Sequence, residues 1–189
     1  MELFEAISAR HSMRSFTDEP VSRQVMERLV SAASLAPSAM NEQPWDFYVT
    51  TGETRRQLSE VMSQGTHHLE EYLEVLGHTA TPEQLEWYSE LGGAPVVVAC
   101  TIPRTDDEFL LMNKYLSVGG AIENMLLAAT DLGLGACAVT FSYWVRDEIE
   151  KLLEVPDGRI IVSMIAIGHP TDLPPVAPLH RMDTAVYLD

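Results

Sequence analysis

Two short runs constrain this chain more than any other feature: Ala94–Thr101 (APVVVACT) and Arg159–Gly168 (RIIVSMIAIG). Each is a nearly continuous stretch of β-branched or small apolar residues without polar alternation. A strand of that kind keeps both faces out of water, so each run predicts a central strand covered on two sides. Between them, Phe109–Leu132 is apolar around much of its circumference, which predicts a long central helix. Its Gly119-Gly120 pair lowers helix propensity by roughly 1 kcal/mol per residue relative to alanine. Close approach of another helix would offset that loss, and a second subunit is one candidate for the neighbour.

The other elements follow from spacing. Leu3, Phe4 and Ile7 predict a short helix over residues 2–9. Pro20 and Ser22 open a second helix whose stripe is Val25, Met26, Leu29, Val30 and Ala33, with Pro37 ending it. Trp45–Thr51 alternates as a strand, residues 53–64 and 66–92 read as helices with a break between Gly77 and Pro82, and Leu134–Phe141 is a short strand. Arg146–Leu153 is an amphipathic helix stopped by the turn Pro156-Asp157-Gly158. Residues 172–189 form a proline-rich extended arm suited to wrapping a partner, with Ala185–Leu188 as an edge strand. The class is α+β: one domain over residues 1–189, with a central mixed or antiparallel sheet flanked by helices.

Composition bounds the function. With 46% apolar and 21% charged residues, the 189-residue chain is ordinary globular material. A formal charge of −16 argues against nucleic-acid backbones and anionic membranes as partners. Only two lysines, Lys114 and Lys151, are present; this fits either salt adaptation or the drift of an acidic protein. Residues Met1–Glu5 lack the basic start and apolar core of a signal peptide. Polar residues interrupt Phe109–Leu134, so no membrane span is expected. Cys100 and Cys137 sit in apolar runs and read as buried free thiols of a reducing cytoplasm, which makes the expected location cytoplasmic.

Three segments carry candidate chemistry. Gly133-Leu-Gly135-Ala-Cys-Ala138 matches G-x-G-x-x-A, but it follows a helix and enters a strand. A dinucleotide fingerprint needs the reverse order, so the match is rejected. In Arg10-His11-Ser12-Met13-Arg14, an extended backbone would put Arg10, Ser12 and Arg14 on one side, where two guanidiniums and a hydroxyl suit a phosphate. The same residues also fit a solvated basic turn closing a helix. Pro37–Pro44 holds Ser38, Asn41 and Gln43, whose donors and acceptors suit a pyrimidine edge and equally suit a capped helix end. His67, His68 and His78 lack partners at metal-ligand spacing. Trp87 and Tyr88 fit either the core or a lid, with residues 65–92 as the candidate lid.

Taken in order, these segments resemble the nitroreductase family over essentially the whole chain. The carriers are R-H-S-x-R-x-F (Arg10 to Phe16), A-P-S-A-x-N-x-Q-P-W (Ala36 to Trp45), APVVVAC, E-N-M-L-L-A-A-x-x-L-G-L-G (Glu123 to Gly135) and Gly168-His169-Pro170. The resemblance implies a nitroreductase-like fold, an intertwined homodimer with FMN shared at the subunit interface, and transfer of reducing equivalents from NAD(P)H to a nitroaromatic, quinone or flavin. It implies that Arg10, Ser12 and Arg14, with His11 beside them, hold phosphate and ribityl. Ser38, Met40 and Asn41 would approach from the other subunit. Ala138, Val139 and Thr140 would offer backbone N–H groups near the flavin N5, and His180 and Arg181 would close over the phosphate. Since the flavin supplies the redox chemistry, no catalytic acid or base is expected from the protein. Where the family often has a Gly-rich or Glu-Gly turn, this chain has Ala138–Phe141. Flavin destruction or dehalogenation on the same scaffold, and a non-catalytic flavin-binding regulatory dimer, are the alternatives.

Overall fold

The computed structural model describes residues 1–171 and 184–188. Four strands form one sheet in the order β1-β2-β4-β3: β1 (Asp46–Thr51), β2 (Val96–Pro103), β4 (Arg159–Gly168) and β3 (Gly135–Val139). The two apolar runs are its centre, as their composition requires. In β2, Val96, Val98, Cys100 and Ile102 face one core while Val97 and Ala99 face the other, and all six are buried. All three strand pairings are antiparallel. The mixed option is therefore excluded for the named strands; the sheet's parallel pairing is a single bridge, Ser12 to Ala136.

A β-bulge at Cys100/Thr101 carries the register of β4 from Ser163 to Ile161. Its effect is visible in the packing. Ile165 and Ile167 belong to the first core, yet Ile161, which simple alternation would place with them, joins Met164 and Ala166 in the second. One extra residue inverts the side-chain parity of a strand, as its period of two demands.

Helices cover both faces. On the first lie α2 (Arg23–Ser34) and α6 (Glu108–Asp131), through Met26, Leu29 and Ala33 on one and Val118, Ala121, Met125 and Ala129 on the other. On the second lie α3 (Gly52–Gln64), α4 (Thr66–Val75) and α7 (Arg146–Leu152), through Leu58, Met62, Leu69 and Ile149. Truncating a wholly buried side chain such as Leu58 or Met125 to alanine is expected to destabilise by about 2–5 kcal/mol. The short α1 (Leu3–Ala9) leans on α6. The break expected between Gly77 and Pro82 is present: α4 ends at Val75, and α5 (Pro82–Glu90) restarts with its own capping box, Thr81 with Gln84, and proline at its first position.

Two expectations fail within the chain. Among the described residues no helix crowds the Gly119-Gly120 pair: a Cβ at Gly120 would lie 3.8 Å from the Ala36 Cβ, and one at Gly119 would meet nothing within 4 Å. Ala185, Val186, Tyr187 and Leu188 are exposed and pair with no strand among the described residues. Several large apolar side chains on α1, the α2–β1 loop and α6 are exposed. Phe4 is 80% exposed, Leu35 81%, Met40 100%, Phe109 66% and Leu116 70%.

Candidate functional site

The basic segment leaves α1 at Arg10 in extended conformation and runs beside β3, the sheet's edge. Ser12 bridges to Ala136, and the Met13 N–H donates to the Ala136 carbonyl at 3.1 Å. Further on, the Phe16 N–H donates to Gly92 O (3.2 Å) and the Thr17 N–H to His169 O (2.9 Å). These bonds fix the chain as a strand would and set its side chains over the end of β3.

Cys137 reports where those side chains are. Burial pushes its thiol up, while Arg14, then the Ser12 hydroxyl, then Arg10 pull it back. Ser12 is bridged to the neighbouring β3 residue Ala136, and Arg14 and Cys137 line the same cavity. The expected phosphate ligands are not equally free. Arg10 pairs with Glu123 of α6 at 3.1 Å, so an anion would have to compete for it. His11 turns its Nδ1 toward the Ala9 carbonyl, back onto its own helix. Arg14 sits with its guanidinium carbon 5.8 Å from the Trp87 ring centre, and its Nη1 donates to Ser12 O at 3.3 Å.

The Arg14 backbone is pinned as firmly. Trp87 Nε1 donates to its carbonyl at 2.6 Å. Gly92, at φ +66°, lies so close that a Cβ there would press on that carbonyl oxygen and come within 2.7 Å of Trp87 Nε1. Only glycine combines this dihedral with this approach. Trp87, open on sequence alone between core and lid, is therefore a wall of the site.

Arg14, Ala138, Val139 and Thr140 line one cavity of about 620 Å³, a size usual for small-molecule sites. Much of its remaining wall is aromatic: Tyr72 of α4, Trp87 and Tyr88 of α5, and Phe141, Tyr143 and Trp144 of the 3-10 turn Phe141–Val145 after β3. In a chain of charge −16, the only charged side chains lining it among the described residues are Arg14 and Arg146. The aromatic turn and Arg146 were missed as site residues from sequence; the cluster Phe-x-Tyr-Trp-x-Arg directly after a strand was the available signal. Burial lifts the Cys100 thiol to about 12, so this residue is a small core hydrophobe and no nucleophile.

Ser38, Met40 and Asn41 do not line this cavity. Ser38, extended, caps a 3-10 turn, Ala39–Asn41, in which Met40 (φ 52°) and Asn41 (φ 55°) are left-handed, as is Gln43 (φ 49°) just beyond it. Residues other than glycine hold such values only where the surroundings impose them. Here Ser38 Oγ accepts from the Gln43 N–H at 2.9 Å, and Ala39 N–H donates to Ser117 Oγ at 3.3 Å. Glu42 pairs with Lys114 of α6, which is 5% exposed, and Arg159 donates to Pro44 O at 2.6 Å. The result is a braced loop that holds Met40 wholly in solvent. His180 and Arg181 lie outside the described residues. Gly133 (φ +73°) closes a helix and leads into β3, in agreement with the rejected dinucleotide match.

Among the described residues no cluster of His, Cys, Asp and Glu could hold a metal, and no helix is long and apolar enough to cross a membrane. The chain is 27% identical to a 4-nitrobenzoate reductase of Pseudomonas putida, across 88% of this chain and 85% of the relative. It is 26% identical to an iodotyrosine deiodinase of Haliscomenobacter hydrossis, across 99% and 87%. Its fold matches that of an FMN and NADPH-dependent nitroreductase from Sphigopyxis sp. strain HMH with a TM-score of 0.82, at 22% identity and over 100% and 99% of the two chains. Residues 7–169 match the model of the nitroreductase family, and the chain belongs to that family.

Proposed function

We propose that this protein is an FMN-dependent oxidoreductase that takes reducing equivalents from NAD(P)H and delivers them to a small aromatic or quinone acceptor. One observation carries the reading: the cavity at the end of β3 joins a fixed arginine to aromatic walls and, among the described residues, is lined by no carboxylate, in a strongly acidic chain. FMN needs an anion receptor at one end and a flat apolar slot at the other, and the residues present fit both. Arg14 is the principal phosphate ligand, with Ser12 beside it and Arg10 recruited from Glu123. Ala138 and Thr140 are exposed residues, and their backbone N–H groups would donate toward the ring. When bound, the flavin supplies the hydride chemistry. The chain's own part is to orient the ring, keep water from it and stack the acceptor against it.

The loop carrying Ser38, Met40 and Asn41 completes the site of a second subunit. Its braced, solvent-facing conformation and the exposed apolar side chains on α1 and α6 support that arrangement, since a partner that covers them removes apolar surface from water. The α4–α5 region, with Tyr72, Trp87 and Tyr88, acts as the lid and sets acceptor choice. Similarity to the deiodinase supports reductive dehalogenation as a second reading of the same cavity.

The protein should take up FMN, turn yellow, and bleach anaerobically with NADH or NADPH, and sedimentation should find a dimer. Failure to bind FMN at saturating concentration would overturn the enzyme reading, and a stable monomer that retains FMN would overturn the shared site.

A further inference from the structure

Arg14 has a stated task in the cavity; Arg146 does not. It opens α7 and lines the same aromatic space. Its guanidinium carbon lies 5.3 Å from the Tyr143 ring centre, which orients the group without neutralising it. Its Nε is buried and has no hydrogen-bond partner among the described residues. Its two ion-pair partners both stand beyond hydrogen-bond distance: Glu150 Oε1 at 3.9 Å and Asp147 Oδ1 at 4.0 Å. Asp147 is 87% exposed and faces water, while Glu150 already pairs with Arg104 and accepts the Ile161 N–H at 2.8 Å. The Nε itself is sealed off, but the guanidinium lines the cavity with no hydrogen-bonded carboxylate, and a guanidinium in that state is a receptor for a planar anion.

We propose that Arg146 is a specificity-determining residue and that the preferred acceptor is an aromatic acid, its ring among Phe141, Tyr143 and Trp144 and its carboxylate on Arg146. This rests on the flavoenzyme reading only for the reduction itself; the binding preference belongs to the cavity. Stacked rings supply affinity for any flat acceptor, but only the guanidinium separates an acid from its neutral isostere.

Tryptophan fluorescence reads binding directly, because Trp87 and Trp144 both line the cavity. On the protein as purified, benzoate should bind about tenfold tighter than benzamide, Arg146→Met should abolish the preference, and Arg146→Lys should restore part of it. In turnover with reduced nicotinamide, the KM for 4-nitrobenzoate should rise about tenfold in Arg146→Met. The KM for 4-nitrobenzamide, the KM for NAD(P)H and kcat should hold. Equal binding of benzoate and benzamide by the unaltered protein would overturn the proposal, even if Arg146→Met failed to fold. So would a preference that survives in Arg146→Met, or a KM rise for NAD(P)H in place of the acid. A protein that binds no FMN yet prefers benzoate would sink the flavoenzyme reading and leave the Arg146 assignment standing. Equal turnover of both nitro compounds would do the opposite.

Discussion

The two halves of the proposed cofactor site are built by different means. The Arg10–Arg14 half is laid on the edge of a sheet, with its backbone bonded to β3 and its arginine held by Gly92 and Trp87. The Ser38–Asn41 half stands off the fold on a loop whose left-handed residues are held by bonds to α6 and β4. One half faces a cavity within its own chain; the other faces solvent. A site divided in this way places its precision in the sheet and leaves its completion to whatever covers the loop.

The largest effect should come from attacking the sheet half at its tightest point. Gly92→Ala adds a Cβ against the Arg14 carbonyl at a left-handed φ, and is expected to cost about 3 kcal/mol or more, read by chemical denaturation. It should also weaken FMN binding in whatever protein still folds. If stability is unchanged, the pinning described here is wrong. Next, Arg14→Ala should weaken FMN binding roughly 10- to 100-fold, the scale of a lost charge-assisted hydrogen bond, while Arg23→Ala, on an exposed helix face, should leave it unchanged. Flavin fluorescence during dilution compares the two, and equal retention would remove the phosphate assignment. The loop half should be gentler. Lys114→Met keeps the buried stem but frees Glu42, and is expected to cost about 1–2 kcal/mol and to loosen the turn. Faster proteolysis between Ser38 and Pro44 would show it, and unchanged cleavage would mean that the other bonds suffice.

What sequence alone discloses follows the same division. Both central strands, the long helix and the Ser22 cap can be read directly, because each depends on local periodicity or one hydroxyl. The strand directions cannot, since pairing is a property of segments far apart in the chain. The bulge that moves Ile161 across the sheet also leaves no local mark. Around the site, the RHSMR cluster is legible as charge, yet the ion pair of Arg10 with Glu123 joins residues more than a hundred positions apart and appears only in three dimensions. Trp87 is the clearest instance. On sequence it is an aromatic in a charged helix, and its role depends on a carbonyl seventy-three residues away. Arg146 is hidden for a related reason: its significance is a missing partner, and absence has no sequence pattern.

The bond from Trp87 to Arg14 has a mechanical consequence. The same indole forms a wall of the cavity, donates to the arginine's carbonyl and lies beneath its guanidinium. Any swing of α5 that widens the entrance therefore pulls on the support of the residue assigned to the phosphate. Entry of a bulky acceptor and grip on the cofactor share one coordinate, so substitutions that ease the first should shorten the residence time of the second.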